Sequence, residues 1–371
     1  MSGQAPSRPL RVAVVGATGI AGQQFLAALE SHPWFTLKRL AASERSAGKT
    51  YAAAITDSAS GATRWYCEKP CSKAFLGLNV ERADQLILDD IDLVFTALES
   101  DAAKEVEPLY AKKVPVVSTA SAFRYEEDVP IFLPGVNPDH AKLIEKQRKA
   151  RGFQGFITPG PNCTTVGLAL SLKPLFDAFG VQNVLMTSMQ AVSGAGRSPG
   201  VLALDIIDNI VPYIPKEEEK VEKETRKILG TLKDGAIQPA NFRVSATCTR
   251  VNVIEAHTEC VNVSLGKAAS LDEVKQVWRQ SYEELRGMKL PSCPQELLHY
   301  TEEPFRPQPR LDRDREGGMT TTLGRLREDS VLPHGIKYVL LSHNTKMGAA
   351  KGAILTAEWL IVKGAINAGS R

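Results

Sequence analysis

Through the first 120 residues, short uninterrupted apolar runs alternate with stretches whose apolar positions recur at helical spacing. Residues 11–16, Arg-Val-Ala-Val-Val-Gly, read as a buried strand that passes through glycines into the helical pattern of 23–29. Residues 35–41, 91–98 and 114–118 read as further strands, with a helix over 102–112. Alternation of this kind predicts a parallel, doubly wound sheet of Rossmann type.

After Thr158 the texture changes. A helix over 164–179 leads to a strand at 184–190, a glycine-serine loop and a charged helical segment that contains the run 216–223. Residues 242–249, 250–265 and 337–342 read as long alternating strands of a more antiparallel sheet, one face of which would be open to a partner subunit. Between them, 302–315 is rich in proline, arginine and acid and reads as an irregular excursion. Residues 347–366 close the chain as an amphipathic helix. The expected fold is α/β, with a Rossmann-type domain over 1–157 and an α+β domain over 158–343 built on a mixed, largely antiparallel sheet.

Composition supports two globular domains: 371 residues, 43% apolar and 23% charged. The formal charge of +3 is small, and cations and acids are interspersed, which argues against nucleic acid as a partner and suits small anionic substrates. No apolar stretch has the length of a membrane helix, and 1–9 has no signal-like apolar core, so the cytoplasm is the default expectation. The six cysteines are expected to be free thiols. Cys67 and Cys71 lack a second ligand pair at metal-binding spacing, so no metal is expected.

Gly16-Ala-Thr-Gly19-Ile-Ala-Gly22 joins the first strand to the first helix. There the backbone can approach a pyrophosphate, whose charge the helix amides would stabilise, although a plain strand-to-helix turn would read the same way. After the second strand come Ser43, Glu44, Arg45, Ser46 and Lys49. Hydroxyls and cations outnumber the single acid, which favours the 2′-phosphate of NADP over the free ribose hydroxyl of NAD.

Thr158-Pro-Gly-Pro-Asn-Cys163-Thr-Thr-Val-Gly167 precedes an apolar helical run, so Cys163 is expected at a helix amino terminus, where amides and dipole favour thiolate. A nucleophilic cysteine needs a proton-handling partner, and His257 in Arg250-Val-Asn-Val-Ile-Glu-Ala-His257 is the choice, with an ordinary buried histidine as the competing reading. Strict alternation puts Arg250 and His257 on opposite faces, so one pocket for both demands a bend or bulge near 254–256. Gln190-Ala-Val-Ser193-Gly-Ala-Gly196 would aim amides at the site or simply turn the chain. Glu217-Glu-Glu-Lys220 by itself reads as a solvated helix face.

Taken together, the glycine turn, Pro161-Asn-Cys163-Thr-Thr, Gln190 with Ser193 to Gly196, Glu217 and Lys220 followed by Glu224-Thr225, Arg250 to His257, and Asn344 to Gly352 resemble aspartate-semialdehyde dehydrogenases of the fungal and archaeal-type branch. The resemblance implies Cys163 as nucleophile, His257 as general acid-base group and Gln190 as the residue that positions the acyl group. It implies Arg250 for the substrate carboxylate, Glu217 for its amino group, and Arg124, Asn162 and Lys220 for phosphate. For NADP(H) it implies Thr18, Gly19, Ile20, Ala21, Ser43, Arg45 and Ser46 at the adenosine end, Asn344 and Gly348 at the nicotinamide end, and Gly16, Ser193 and Gly194 as further cofactor contacts. The implied reaction is reduction of L-4-aspartyl phosphate to L-aspartate 4-semialdehyde with release of phosphate, on the way to threonine, methionine and lysine. The final helix, 344–371, would complete the nucleotide domain, and the second domain would form a dimer, two of which could pair as a tetramer. A malonyl-CoA or N-acetyl-glutamyl-phosphate reductase on the same scaffold, or an NADP-binding regulator without chemistry, are the rival expectations.

Overall fold

The computed structural model describes residues 5–195 and 203–367 and divides them into two compact units. Unit 1 comprises Met1–Phe132, Ala141–Gly160 and Ala349–Arg371; unit 2 comprises Leu133–His140 and Pro161–Gly348.

Unit 1 carries β1 (Leu10–Val15), β2 (Phe35–Ala42), β3 (Val80–Arg82), β4 (Leu93–Thr96), β5 (Val116–Ser118) and β6 (Ile157–Pro159), all parallel in the order β3-β2-β1-β4-β5-β6. Strands buried on both faces explain the uninterrupted apolar runs: all four residues of β4 are buried, as are five of the six in β1. Strand order reverses at β1, so the crevice outside the carboxyl ends of β1 and β4 is where a dinucleotide fits this topology. The helix Lys351–Val362 belongs to this unit, and every residue from Ala353 to Ile361 is buried. It is therefore a core helix and not the amphipathic one expected. Even Glu358 is inside, where its carboxylate meets His32 Nε2 at 2.9 Å.

Unit 2 carries β7 (Val181–Gln190), β8 (Ile210–Val211), the hairpin β9 (Thr231–Lys233) and β10 (Ala236–Gln238), β11 (Arg243–Val251), β12 (His257–Leu265), β13 (Leu298–Tyr300), β14 (Thr321–Asp329) and β15 (Gly335–Ser342). Seven of these form a mixed sheet in the order β13-β14-β15-β12-β7-β11-β8. The single strand expected over 250–265 is in fact two. β11 runs parallel to β7 and β12 antiparallel to it, so the chain crosses the end of β7 between Val251 and His257. Ala256, with φ of 77°, makes the last step of that crossing. One face of the sheet is covered by helices Cys163–Phe179, Glu217–Ile228 and Leu271–Arg279. On the opposite face of β7 and β12, Leu185 is 45% exposed and Cys260 is exposed.

The excursion over 302–315 is irregular apart from the short helix Pro309–Asp312. Arg306 braces it through Asp312, and Lys346 Nζ donates to Asp314 Oδ1 at 2.8 Å.

Candidate active site

Asn162 caps the helix Cys163–Phe179: its Oδ1 accepts from the amides of Thr164 at 2.9 Å and Thr165 at 3.3 Å. Cys163 is thus the first helical residue, among the amides that lower a thiol pKa. Its Sγ lies 3.2 Å from His257 Nε2. His257 opens β12 and is fully buried, with Nδ1 accepting from the Ala191 amide at 3.0 Å. Burial first, then the charge of Arg250 and the nearness of His343, push the imidazole down to about 3.

The crossover reconciles the two strand faces. Arg250, the penultimate residue of β11, pairs with Gln190 of β7, and its Nη1 donates to the Ala191 carbonyl at 2.8 Å. A Cβ placed on Gly194 would meet Arg250 Nη1 at 3.0 Å and His257 Cε1 at 3.1 Å. One on Gly348 would meet Cys163 Cβ at 3.0 Å. These two glycines let the backbone lie against the three reactive side chains, a constraint that the sequence shows only as two small residues.

Glu217, expected on general grounds to be solvated, is buried instead. Its Oε1 accepts from Asn162 Nδ2 at 2.8 Å and Gln190 Nε2 at 3.3 Å, and its Oε2 faces Lys220 Nζ at 3.4 Å. Two helical turns on, Glu224 is fully buried and accepts the Asn162 amide at 2.6 Å. The helix Glu217–Ile228 therefore grips Asn162 by both side chain and backbone. Glu224 was given no role from the sequence, although its seven-residue spacing from Glu217 puts both acids on one helical face.

Asn344 and Ser193 are tied to the crossover. Asn344 Oδ1 accepts from the Ala256 amide at 2.8 Å, and its Nδ2 donates to Ser193 Oγ at 2.8 Å. Ser193 in turn donates to Glu255 at 3.0 Å. Gly196, the end of the expected loop motif, lies outside the described residues.

In unit 1, Gly16 has φ of 81°, and a Cβ there would fall 2.1 Å from the Ala97 carbonyl, just past β4. Gly19 is the N-cap of helix Ile20–Leu29 with no side-chain cap, so Ile20 and Ala21 present first-turn amides as an anion would need. Thr18 lies in the same turn, where its carbonyl accepts from Gln23 Nε2 at 3.3 Å. Gln23 and Tyr51 fasten the turn to the segment that follows β2: Tyr51 Oη donates to the Ala17 carbonyl at 2.8 Å. After β2, Ser43 and Arg45 are exposed and Ser46 is buried, while Glu44 is drawn into an ion pair with Arg82 at 3.1 Å. Glu44 is the one acid in this stretch, and Ser43, Arg45 and Ser46 supply the hydroxyls and cation that fit a phosphorylated ribose. Arg124 is also in this unit, nearly buried, with Nε donating to the Gly160 carbonyl at 2.9 Å and Nη2 to the Thr119 carbonyl at 3.0 Å.

A cysteine on a helix amino terminus, a histidine on its sulfur and a dinucleotide-type sheet define an oxidoreductase of acyl groups, and comparison with known proteins names the class. The family model for the semialdehyde dehydrogenase NAD binding domain matches residues 11–144, and that for the semialdehyde dehydrogenase dimerisation domain matches 172–347. The aspartate-semialdehyde dehydrogenase of Methanothermobacter thermautotrophicus is 44% identical over 353 residues, covering 94% of this chain and 98% of that one. The Candida albicans enzyme is 42% identical over 371 residues, covering 96% and 99%. A crystal structure of aspartate semialdehyde dehydrogenase with NADP from Candida albicans matches with a TM-score of 0.86 at 39% identity, over 96% of this chain and 99% of that one. The chain belongs to the aspartate-semialdehyde dehydrogenase family.

Proposed function

We propose that this chain reduces L-4-aspartyl phosphate to L-aspartate 4-semialdehyde with NADPH, through a thioester on Cys163. The contact of Cys163 Sγ with His257 Nε2 at 3.2 Å, on a helix amino terminus, carries the reading. Thiolate Cys163 attacks the acyl carbon and phosphate departs with the C–O electron pair, which splits one difficult step into two easier ones. The dinucleotide, when bound, supplies the hydride. Arg250 offers a planar fork to the substrate carboxylate, and Glu217 an anion to its ammonium. Because Glu217 already accepts from Asn162, Gln190 and Lys220, an incoming ammonium replaces one of these donors. Gln190 steadies the acyl group, and Asn162, Lys220 and Arg124 receive phosphate.

At the cofactor, Gly16, Thr18, Gly19, Ile20 and Ala21 hold the pyrophosphate, and Ser43, Arg45 and Ser46 the 2′-phosphate. Ser193, Gly194, Asn344 and Gly348 face the nicotinamide. The family match to a dimerisation domain supports a homodimer formed through the open sheet face around Leu185 and Cys260; light scattering in solution separates this from a tetramer. No helix among the described residues is long and apolar enough to cross a membrane. The proposed setting is the cytoplasm, in the biosynthesis of threonine, methionine and lysine.

The test is NADP reduction on addition of L-aspartate semialdehyde, with and without inorganic phosphate. Phosphate-dependent turnover that is lost in Cys163→Ser is expected. A wild type that binds NADP without turning over this aldehyde overturns the reading.

A further inference from the structure

Beside the catalytic cluster lies a ring of hydrogen bonds whose direction is fixed from its first donor. The Ala256 amide is 2.8 Å from the Asn344 side chain and can only donate, so the atom facing it is Oδ1. Asn344 Nδ2 therefore points the other way, to Ser193 Oγ at 2.8 Å. With one lone pair of that oxygen taken, the Ser193 hydroxyl sends its single proton to Glu255 Oε2 at 3.0 Å. Glu255 is the residue before Ala256, so the ring closes on itself. Its members come from three stretches of unit 2: the loop after β7, the crossing between β11 and β12, and the segment after β15.

We infer that Glu255 is a positioning residue for the nicotinamide end of the cofactor, acting through Ser193 to hold the Asn344 amide in one orientation. This rests on Ser193 and Asn344 lying at the nicotinamide, as proposed for the cofactor.

Asn344 Nδ2 carries two hydrogens. One is spent on Ser193, and the other lies in the same amide plane with no acceptor among the described residues. The carboxamide oxygen of a nicotinamide is an acceptor of the kind that hydrogen requires. Its direction is only as well defined as the amide plane, and the plane is pinned at Oδ1 by Ala256 and at Nδ2 by Ser193. Without an acceptor at 255 the Ser193 proton loses its partner, and Ser193 Oγ is no longer held where Nδ2 needs it.

The surroundings suit a carboxylate at this end of the ring. Glu255 Oε2 accepts a second hydroxyl, from Thr345 Oγ1 at 3.0 Å, and His343 Nδ1 lies 3.8 Å away. Burial pushes the Glu255 carboxyl up from its ordinary value, opposed by the Thr345 and Ser193 hydroxyls and by the charges of Lys346 and Arg313. Hydrogen bonds joined in series polarise one another, so removal of the terminal charge weakens every link. The first donor of the ring is also unusual, because Ala256 takes φ of 77°, a region that residues other than glycine rarely enter. The ring thereby holds the turn that leads into His257 as well as the amide of Asn344.

The experiment is calorimetric titration of the intact chain with NADP+ and with adenosine 2′,5′-bisphosphate, which lacks the nicotinamide half. Glu255→Ala is expected to raise Kd for NADP+ by about 10-fold, the worth of one hydrogen bond to a charged group, and to leave Kd for the bisphosphate unchanged. Ser193→Ala should give a similar loss, and the double variant no more than either single one, since both cut the same chain. Glu255→Gln keeps an oxygen for the two hydroxyls and should fall between the wild type and Glu255→Ala. A merely structural role would weaken both ligands together. That outcome, or additive losses in the double variant, overturns the inference. If Glu255→Ala does not fold, Ser193→Ala decides alone, and an NADP+ affinity equal to wild type overturns it. Asn344→Ala separates this from the cofactor reading. Loss of NADP+ affinity there with none in Glu255→Ala overturns the role of Glu255 alone, whereas no loss in Asn344→Ala overturns the placement of the nicotinamide and the role of Glu255 with it. No substrate is present, so the identity of the aldehyde does not enter.

Discussion

At the scale of single residues, space counts for as much as charge. Gly348 lies so close to Cys163 that an added methyl would sit 3.0 Å from its Cβ and 3.2 Å from its Cα. Both contacts are with the cysteine's own backbone end, so a flexible side chain cannot swing away to relieve them. Gly348→Ala should therefore displace the nucleophile with little change elsewhere. Steady-state kinetics are expected to show kcat down by about 10-fold, since a 3.0 Å contact is relieved by a shift well short of the roughly 1 Å that costs about 100-fold, with an unchanged melting temperature. An unaltered kcat would show that the helix start can shift freely. Arg250 is the complementary case. Its Nη1 is spent on the Ala191 carbonyl, which fixes the plane of the guanidinium and leaves the rest of the fork for a carboxylate. Arg250→Lys keeps the charge but loses the fork, and KM for the aldehyde should rise by about 10-fold or more, the equivalent of one charge-assisted hydrogen bond. The check is the ratio of kcat to KM effects, which a general loss of structure would move together.

At the scale of elements, Asn162 joins the helix that carries the nucleophile to the helix that carries the acids. Asn162→Ala removes an N-cap, worth about 1 kcal/mol, and the amide that Glu217 accepts. Thermal unfolding should show a modest drop, while kcat falls much further because Cys163 is the next residue. A fall in stability alone would place Asn162 in the fold and outside the chemistry. This junction also shows what the sequence could and could not reveal. The turn Pro-Asn-Cys-Thr-Thr before an apolar run announced the helix start, because capping is local chemistry. Gly16 to Gly22 announced a strand-to-helix turn for the same reason, since its glycines answer to contacts within a few residues. The strand break at 252–256 reads from the sequence only as a bend or bulge within one strand. Alternation says that Arg250 and His257 cannot share a face, but it does not say that a neighbouring strand will be straddled to bring them together. The burial of Glu217 and Glu224 was likewise hidden. A run of charges looks solvated until a second helix covers one face of it, and here that covering helix starts 54 residues earlier, at Cys163. Short strands such as β3 and β6, three residues each, carry too little pattern to be seen, and they exist because a sheet edge is there to receive them.

At the scale of the whole molecule, buried carboxyl groups set opposite limits on stability against pH. Asp92 is desolvated, which opposes its charge, but hydrogen bonds from Arg8 and Arg11 outweigh burial and bring its pKa down to about 2 from 3.8. A depressed acid stabilises the fold above its unfolded pKa, and that contribution, about 2 kcal/mol, is lost as pH falls from about 4 to 2. Glu107 behaves in the opposite sense. It is buried at the carboxyl ends of β4 and β5, where Thr96 and Ser118 hydroxyls donate to its Oε1 at 2.6 Å each and its Oε2 has no partner among the described residues. Burial, opposed by those two hydrogen bonds and the charge of Arg124, raises its pKa to about 7 from 4.5. For a raised acid the folded state holds the proton more tightly, so its contribution is complete below the unfolded pKa and declines as pH rises, until it is gone above about 7. Glu107→Gln keeps an oxygen for the two hydroxyls and cannot ionise. Urea unfolding of both proteins across pH is the measurement. At about pH 5 the two should be similar. The wild type should then lose stability toward pH 8 while the variant does not, so the variant is the more stable there. Parallel curves would mean that Glu107 keeps its charge inside the sheet and that Arg124 holds it far more strongly than the burial of the site suggests.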